Sequence, residues 1–458
     1  MSKKLFIYGI GIIFSKILVF LMVPIYTRVF AVSDYGYYDV IISDMQMIVS
    51  IAFVEIWSGI MRYMFADDDK YKPIKAMIKM LPFMIIVYAV IIFVISHIIE
   101  LRYPFIICLY GIMYLLYNIA TTICRGFNKN IDYVITGLIY TMISCGLSII
   151  ISFNYSKDIK YLFISQIIGY LMACIYVEIR TCSYKNSLKS FVDYKYILKM
   201  LKYSLPLMMN SFSFLFLGTY NKNVVLKVMG ESASGQYAYV SKFSAIVSII
   251  ISIYSLAWQE QAFLYADRED RGDIYAYYIN NFIKCIGLAI PSYILLSCFA
   301  SPYIGGNGYL QATILIPMIV LSAFLADLSG IFSVVIAVNE RTDQTFISTV
   351  MGAIVNVILV NFLVKKYGAN GASLSLCIGF LVAAFARYIF VKKTINYKKI
   401  QGYLLAIILV EVMFIIKANN NIFLIVGFIL FTMIWVLLNR NNIILGMNKI
   451  KLFIRSKQ

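Results

Sequence analysis

Two apolar runs within residues 5–64 are each long enough to cross a bilayer, yet both carry ionisable groups inside them. A crossing takes about 20 predominantly apolar residues. Lys16 lies about midway along the first run, and Asp39, Asp44, Glu55 and Arg62 punctuate the second. A charge at membrane depth costs roughly 2.5–3.5 kcal/mol even on a lenient insertion scale, so these side chains must face protein or water rather than lipid. Helical geometry agrees. At about 100° per residue, Tyr8, Gly9, Gly11, Ser15, Lys16, Tyr26 and Thr27 share one sector, and the opposite side is apolar. In the second run Asp39, Ser43, Gln46 and Ser50 form one stripe, and Asp44, Glu55 and Arg62 form another. Both helices therefore turn a polar face toward something wet and an apolar face toward lipid or neighbours.

The rest of the chain has the same character. It is 62% hydrophobic and 14% charged over 458 residues, against about 45–50% apolar in soluble domains, which identifies an all-α polytopic membrane protein. The net charge of +18 is then a topology signal on cytoplasmic loops rather than a nucleic-acid surface. The eight cysteines are scattered without a C-x-x-C pair and His97 is the lone histidine. No disulfide framework, metal site, cofactor or His-dependent catalytic site is indicated. No cleavable signal is expected, because the first run is too long and more spans follow.

Apolar runs near 5–30, 37–61, 79–99, 104–123, 132–152, 161–179, 203–228, 236–262, 274–300, 312–337, 344–364, 370–391, 402–416 and 421–438 predict about fourteen transmembrane helices. An even count puts both termini on one side. Lys3, Lys4, Lys70, Lys72, Lys75, Lys185, Lys189, Lys398, Lys399 and the basic tail beyond residue 440 gather there, while the other side holds little beyond Arg28, Arg102, Lys157, Lys160, Lys365, Lys366 and Lys417. That asymmetry makes both termini cytoplasmic. An offset of about 200 residues brings Tyr35, Gly36, Tyr37 and Tyr38 against Ser234, Gly235, Gln236 and Tyr237, Arg28 opposite Lys227, and Trp57 opposite Trp258. Two pseudo-symmetric six-helix bundles around a central cavity follow: 1–180 and 203–391, joined by an amphipathic cytoplasmic link at 181–202, with two further helices and the basic tail at 392–458. No loop is long enough to fold as the acceptor-holding domain that membrane glycosyltransferases and polymerases commonly need.

Pro24 to Arg28, followed by Asp34, Tyr35 and Gly36, resemble the opening of the bacterial polysaccharide flippases of the multidrug/oligosaccharidyl-lipid/polysaccharide exporter superfamily. Tyr203 to Pro206, Gly235 to Tyr237, and Tyr367, Gly368, Asn370, Gly371 and Ala372 continue the resemblance across about the first 390 residues. Asn221 and Lys222 stand where many such relatives have Asp followed by a basic residue, so a carboxylate is lost and the positive charge kept. The resemblance implies alternating access that moves an undecaprenyl-pyrophosphate-linked oligosaccharide from the cytoplasmic to the outer leaflet of the bacterial cytoplasmic (inner) membrane, for O-antigen or other cell-surface polysaccharide assembly. It implies as partners the polyprenyl-pyrophosphate-linked glycan, membrane lipids and proteins of glycan assembly, without nucleic acid. The alternatives are a drug or small-cation exporter of the same fold and a membrane enzyme of glycan assembly; the first would want an acidic cavity, the second an extramembrane acceptor site.

The candidate substrate-binding residues are Lys16, Lys222, Lys242, Arg28 and Arg62, and the candidate coupling or gating residues are Asp44, Glu55 and Asp327. Lys16, Lys222 and Lys242 lie within spans, where a compact ammonium suits a pyrophosphate that must be released again. Against that, Lys16 can pair with Asp44 or Glu55 to pin the first two helices, and the other two can snorkel outward. Arg28 and Lys227 sit toward the outer rim, as anion contacts or headgroup anchors; Arg62 is a first contact at the cytoplasmic end. Asp327 can cycle a proton or hydrogen-bond a neighbouring helix. Asp67, Asp68 and Asp69 read as a solvated turn rather than a metal cluster.

Overall fold

The computed structural model describes residues 15–154, 157–339, 341–417 and 425–440. Tyr8, Gly9 and Gly11 of the first polar sector and the basic tail beyond residue 440 lie outside the described residues. Helices dominate, and no strand occurs among the described residues. After helical residues 15–21 come α1 (Val23–Val29), α2 (Val32–Ala52), α3 (Ile56–Ala66), α4 (Lys72–Ile99), α5 (Pro104–Gly126), α6 (Asn130–Asn154), α7 (Lys160–Thr181) and α8 (Tyr194–Met229). The second half holds α9 (Glu231–Leu264), α10 (Arg271–Cys285), α11 (Ile290–Ile304), α12 (Ile316–Val338), α13 (Thr342–Tyr367), α14 (Ala369–Val391), α15 (Tyr403–Lys417) and α16 (Ile425–Arg440). Among the described residues nine helical rods are long and apolar enough to cross a membrane by themselves, and the bent pair α2 and α3 makes a tenth. Within the described residues, the expected spans fall on helical chain.

Local chemistry explains where the rods begin and end. Pro24, Pro73, Pro104, Pro291 and Pro317 occupy first turns, where a missing N–H costs nothing. Asp193 caps α8 by accepting from the Tyr196 backbone N–H at 3.0 Å. Hence α8 starts at Tyr194, and only a short helix, Ser183–Ser187, precedes it. Lys79 ties that connection to α4 by donating to the Val192 carbonyl at 2.6 Å. Gly230 (φ 86°) and Gly368 (φ 59°) supply the positive φ at which α8 and α13 end, a backbone conformation that favours glycine.

One span departs from expectation. The run at 37–61, read as a single span, breaks at Val54 and Glu55, both left-handed (φ 49° and 46°), and the halves meet at 55°. The backbone stays hydrogen-bonded through the break, Val54 N–H to Ile51, Glu55 N–H to Ser50 and Ile56 N–H to Phe53, each at 3.0 Å. The strain of two non-glycine residues at positive φ is therefore held by a satisfied turn.

Contacts divide the chain into two compact units, Met1–Ala238 and Tyr239–Gln458. In the first, tyrosines fill the space among α5, α6 and α7: Tyr140 and Tyr170 stack at 4.3 Å and Tyr117 lies 5.0 Å from Tyr170. In the second, α12 is largely enclosed, Phe324 stacks on Phe282 at 5.8 Å, and Gly352 lets α13 close onto the Gly379 carbonyl of α14. The outward faces are apolar. Phe83, Ile86, Val90 and Phe93 of α4 are all exposed, an arrangement water would penalise and lipid does not.

Candidate functional site

The polar stripe of α2 does not face lipid. From Asp34 to Asp44, about 15 Å at 1.5 Å per residue, it meets successive partners within the first unit. Lowest in number is Asp34, 2.9 Å from the Arg102 guanidinium, which also holds Glu231 at the start of α9 at 2.6 Å. Arg102 lies over the Tyr37 ring at 4.9 Å, and its backbone N–H donates to the Tyr37 hydroxyl at 2.9 Å. Partial burial works against the Arg102 charge, but Glu231 and Asp34 outweigh it and hold its pKa above the ordinary arginine value. All three side chains are about one-third exposed or more, so each pair contributes only about 0.2–1 kcal/mol.

Two residues farther, helix backbones touch. A Cβ added to Gly36 would lie 2.3 Å from the Gly235 nitrogen, and one added to Gly235 would lie 1.9 Å from the Val32 carbonyl oxygen. These are the glycines that the internal repeat aligns, and they close α2 onto α9 against each other. No other residue type fits either position without moving a helix.

Deeper along α2, Lys222 of α8 reaches Asp39 at 2.6 Å and the Ser43 hydroxyl at 2.8 Å. Asp39 retains 7% of its side-chain exposure and Lys222 20%, so this ion pair is largely withdrawn from solvent. Beside it Asn223 donates to Asp44 at 2.6 Å. Lys222 thus takes its countercharge from another helix, whereas the resemblance placed a carboxylate next to it in sequence. Asp39, Ser43 and Asn223 were not among the sequence candidates, although the spacing of Asp39 and Ser43 already put them on one face.

Glu55 stands at the break. It accepts from Ser58 at 3.0 Å, and its second carboxylate oxygen is buried without a hydrogen-bond partner. Asp44 and Glu55, offered by the sequence as partners of Lys16, are thus held by Asn223 and Ser58. Lys16 and Arg28 are exposed. Arg62 is exposed on α3, one turn beyond Ser58. In the second unit Lys242 is half-buried on α9, and Asp327 of α12 accepts from Ser248 of α9 at 2.9 Å. Of the two roles weighed for Asp327, the helix-to-helix hydrogen bond is present. Among the described residues no group of three His, Cys, Asp or Glu side chains could hold a metal ion.

The chain is a multi-pass helical membrane protein with ionisable residues paired between its spans, and solved structures share its fold. A lipid II flippase MurJ in an inward closed conformation superposes with a TM-score of 0.69 at 16% identity, covering 95% of this chain and 99% of that one. An inward-facing multidrug resistance MATE family transporter of the MOP superfamily gives 0.61 at 15% identity, covering 87% and 96%. A MOP superfamily transporter from Pyrococcus furiosus, described as having a binding pocket of reverse polarity, gives 0.62 at 13% identity with the same coverage. These identities establish the fold. Comparison with curated protein sequences finds no match. The family model described as "Polysaccharide biosynthesis protein" matches residues 1–258, and the chain belongs to that family.

Proposed function

We propose that the protein is a flippase that carries a polyprenyl-pyrophosphate-linked oligosaccharide from the cytoplasmic to the outer leaflet of the bacterial cytoplasmic membrane by alternating access. The observation that carries this reading is membership of the polysaccharide biosynthesis family over residues 1–258, in a chain with the fold of the flippase and exporter structures above. A glycan headgroup with a pyrophosphate cannot cross hydrocarbon unaided, because each unpaired polar group costs several kcal/mol there. In-span cations answer that need. Lys16, Lys222 and Lys242 are assigned to the phosphates, with Arg28 and Arg62 toward the two faces. Lys222 suits exchange: its partners Asp39 and Ser43 can yield the ammonium to a competing anion. Asp44, Glu55 and Asp327 are assigned to coupling the cycle to occupancy. The loop-charge asymmetry supports both termini being cytoplasmic.

The carboxylates Asp39, Asp44 and Glu55 favour a second reading, export of a cationic drug. Vesicles holding a fluorescent polyprenyl-pyrophosphoryl sugar separate the two. With the protein, a membrane-impermeant quencher should reach nearly all of the label instead of the outer half, and Lys16→Ala should abolish this without loss of the protein from the membrane. Unchanged label accessibility together with ethidium extrusion would overturn the flippase reading in favour of the exporter.

A further inference from the structure

A cavity of about 380 Å³ opens in the first unit where α3, α5 and α8 meet. Close helix contacts frame it. Gly59 of α3 would, with a Cβ, lie 2.6 Å from the Ser204 hydroxyl of α8, and Gly126 of α5 would lie 2.4 Å from the Met64 sulfur of α3. Each helix contributes one stripe to the walls: Trp57, Ser58 and Arg62 from α3, Thr122 and Arg125 from α5, Tyr203 from α8. Tyr203 is fixed by an edge contact with Tyr63 at 6.1 Å.

Neither arginine has a carboxylate partner among the described residues, although carboxylates are close in sequence. Glu55 is engaged by Ser58, and Asp67 accepts the Tyr196 hydroxyl. Arg125 lies in the last turn of α5, where the helix dipole favours a cation, but the last turn of α3 holds no basic residue, so the dipole does not account for Arg62. The internal repeat adds an independent contrast. Trp258, which aligns with Trp57, is buried in the second unit and donates to the Ile331 carbonyl at 3.0 Å, whereas Trp57 is half-buried and walls the cavity. The tryptophan that packs a core in one repeat lines a void in the other.

We propose that this cavity binds the pyrophosphoryl sugar of a lipid-linked glycan, with Arg62 and Arg125 on the phosphates and Trp57 and Tyr203 against the first sugar ring. Two guanidiniums match two phosphates bidentately, the Thr122 hydroxyl adds a donor, and the volume lies in the range of small-molecule sites. A glycerophospholipid headgroup offers the same phosphate chemistry without a ring to stack. The sugar rests on the flippase reading; the anion does not.

The test uses the full-length protein in phosphatidylcholine nanodiscs. Calorimetric titration with inorganic pyrophosphate and with farnesyl-pyrophosphoryl N-acetylglucosamine should show tighter binding of the latter. Arg62→Gln and Arg125→Gln should each weaken both probes about tenfold or more, and Arg62→Lys with Arg125→Lys should retain part, which keeps the test open if a glutamine variant folds poorly. Trp57→Leu should weaken the sugar-bearing probe alone. Phosphatidylglycerol included in the disc should compete weakly; competition as strong as the sugar probe's would overturn the proposal in favour of a phospholipid anchor. Wild-type binding by the double glutamine variant, with flipping intact, sinks this site and leaves the flippase reading standing. Arginine-dependent pyrophosphate binding without any flipping sinks the flippase reading and leaves the anion site.

Discussion

Gly235→Ala tests whether the contact between α2 and α9 governs conformational balance. Its Cβ would sit 1.9 Å from the Val32 carbonyl oxygen, and ordinary contact begins at 3.4 Å. The helices must therefore separate by about 1.5 Å at this point, and the obstacle is backbone, which cannot rotate away. Overpacking of this kind costs about 1–3 kcal/mol, enough to shift a two-state equilibrium about 5- to 150-fold. Glu231 lies one turn from Gly235, so the same displacement loosens its 2.6 Å pair with Arg102. The expected outcome is a gain of forms with α2 and α9 apart. Double electron–electron resonance between labels at Ala31 and Met229, with the eight native cysteines replaced by serine, should show a longer distance population in G235A. Gly218→Ala, where nothing lies within 4 Å of the added Cβ, should leave the distribution unchanged. Superimposable distributions for wild type, G235A and Gly36→Ala, with all three folded, would refute the reasoning.

The pair of Asp39 and Lys222 should behave as a unit: Asp39→Asn or Lys222→Met alone lowers stability by up to about 3–5 kcal/mol, while the double variant recovers part of the loss. Thermal unfolding in detergent measures the cycle, and strictly additive losses would contradict the coupling. Arg387 is buried, with its Nε on the Ser348 hydroxyl at 2.8 Å and its Nη2 on the Thr349 hydroxyl at 2.7 Å, and no ion pair among the described residues. A lysine cannot span that fork, so Arg387→Lys should lower the melting temperature more than Ser348→Ala; the reverse order would count against it. Glu411 is buried on α15 with one carboxylate oxygen lacking a hydrogen-bond partner. Glu411→Gln, neutral and of the same shape, should melt at the wild-type temperature or above, and a marked loss would mean the charge itself is needed.

Much of the fold is legible in the chain because a membrane-spanning helix has to show its length and apolarity in sequence. The break in the second span is not, since residues 50–58 hold neither Gly nor Pro and the turn is imposed by packing. The early start of α8 was readable in principle: Asp193 ahead of a helix-forming run is an N-cap signal, masked by a first turn of lysines and tyrosines that reads as loop. The stripe of Asp39 and Ser43 follows from period alone. Its partner does not, because which turn of α8 lies opposite is a tertiary fact. Trp57 and Trp258 make the same point, since an aligned residue carries no mark of whether a core or a cavity surrounds it.

Asn221, standing beside Lys222 where the resemblance places Asp, takes on meaning once the partner is known. Neighbours in a helix point in different directions, so a carboxylate next to Lys222 would not face its ammonium squarely, yet it would remain near whatever α8 did. Asp39 is different, because it reaches Lys222 only while α2 and α8 are together. A countercharge on a separate helix makes neutralisation of the lysine conditional on helix approach. If the helices part, the ammonium is released at membrane depth, where an unpaired charge is costly and an arriving anion gains most. A carboxylate on α2 rather than beside Lys222 on α8 thus makes a pair whose closure depends on the approach of two helices, so separation of α2 from α8 leaves the ammonium to any competing anion.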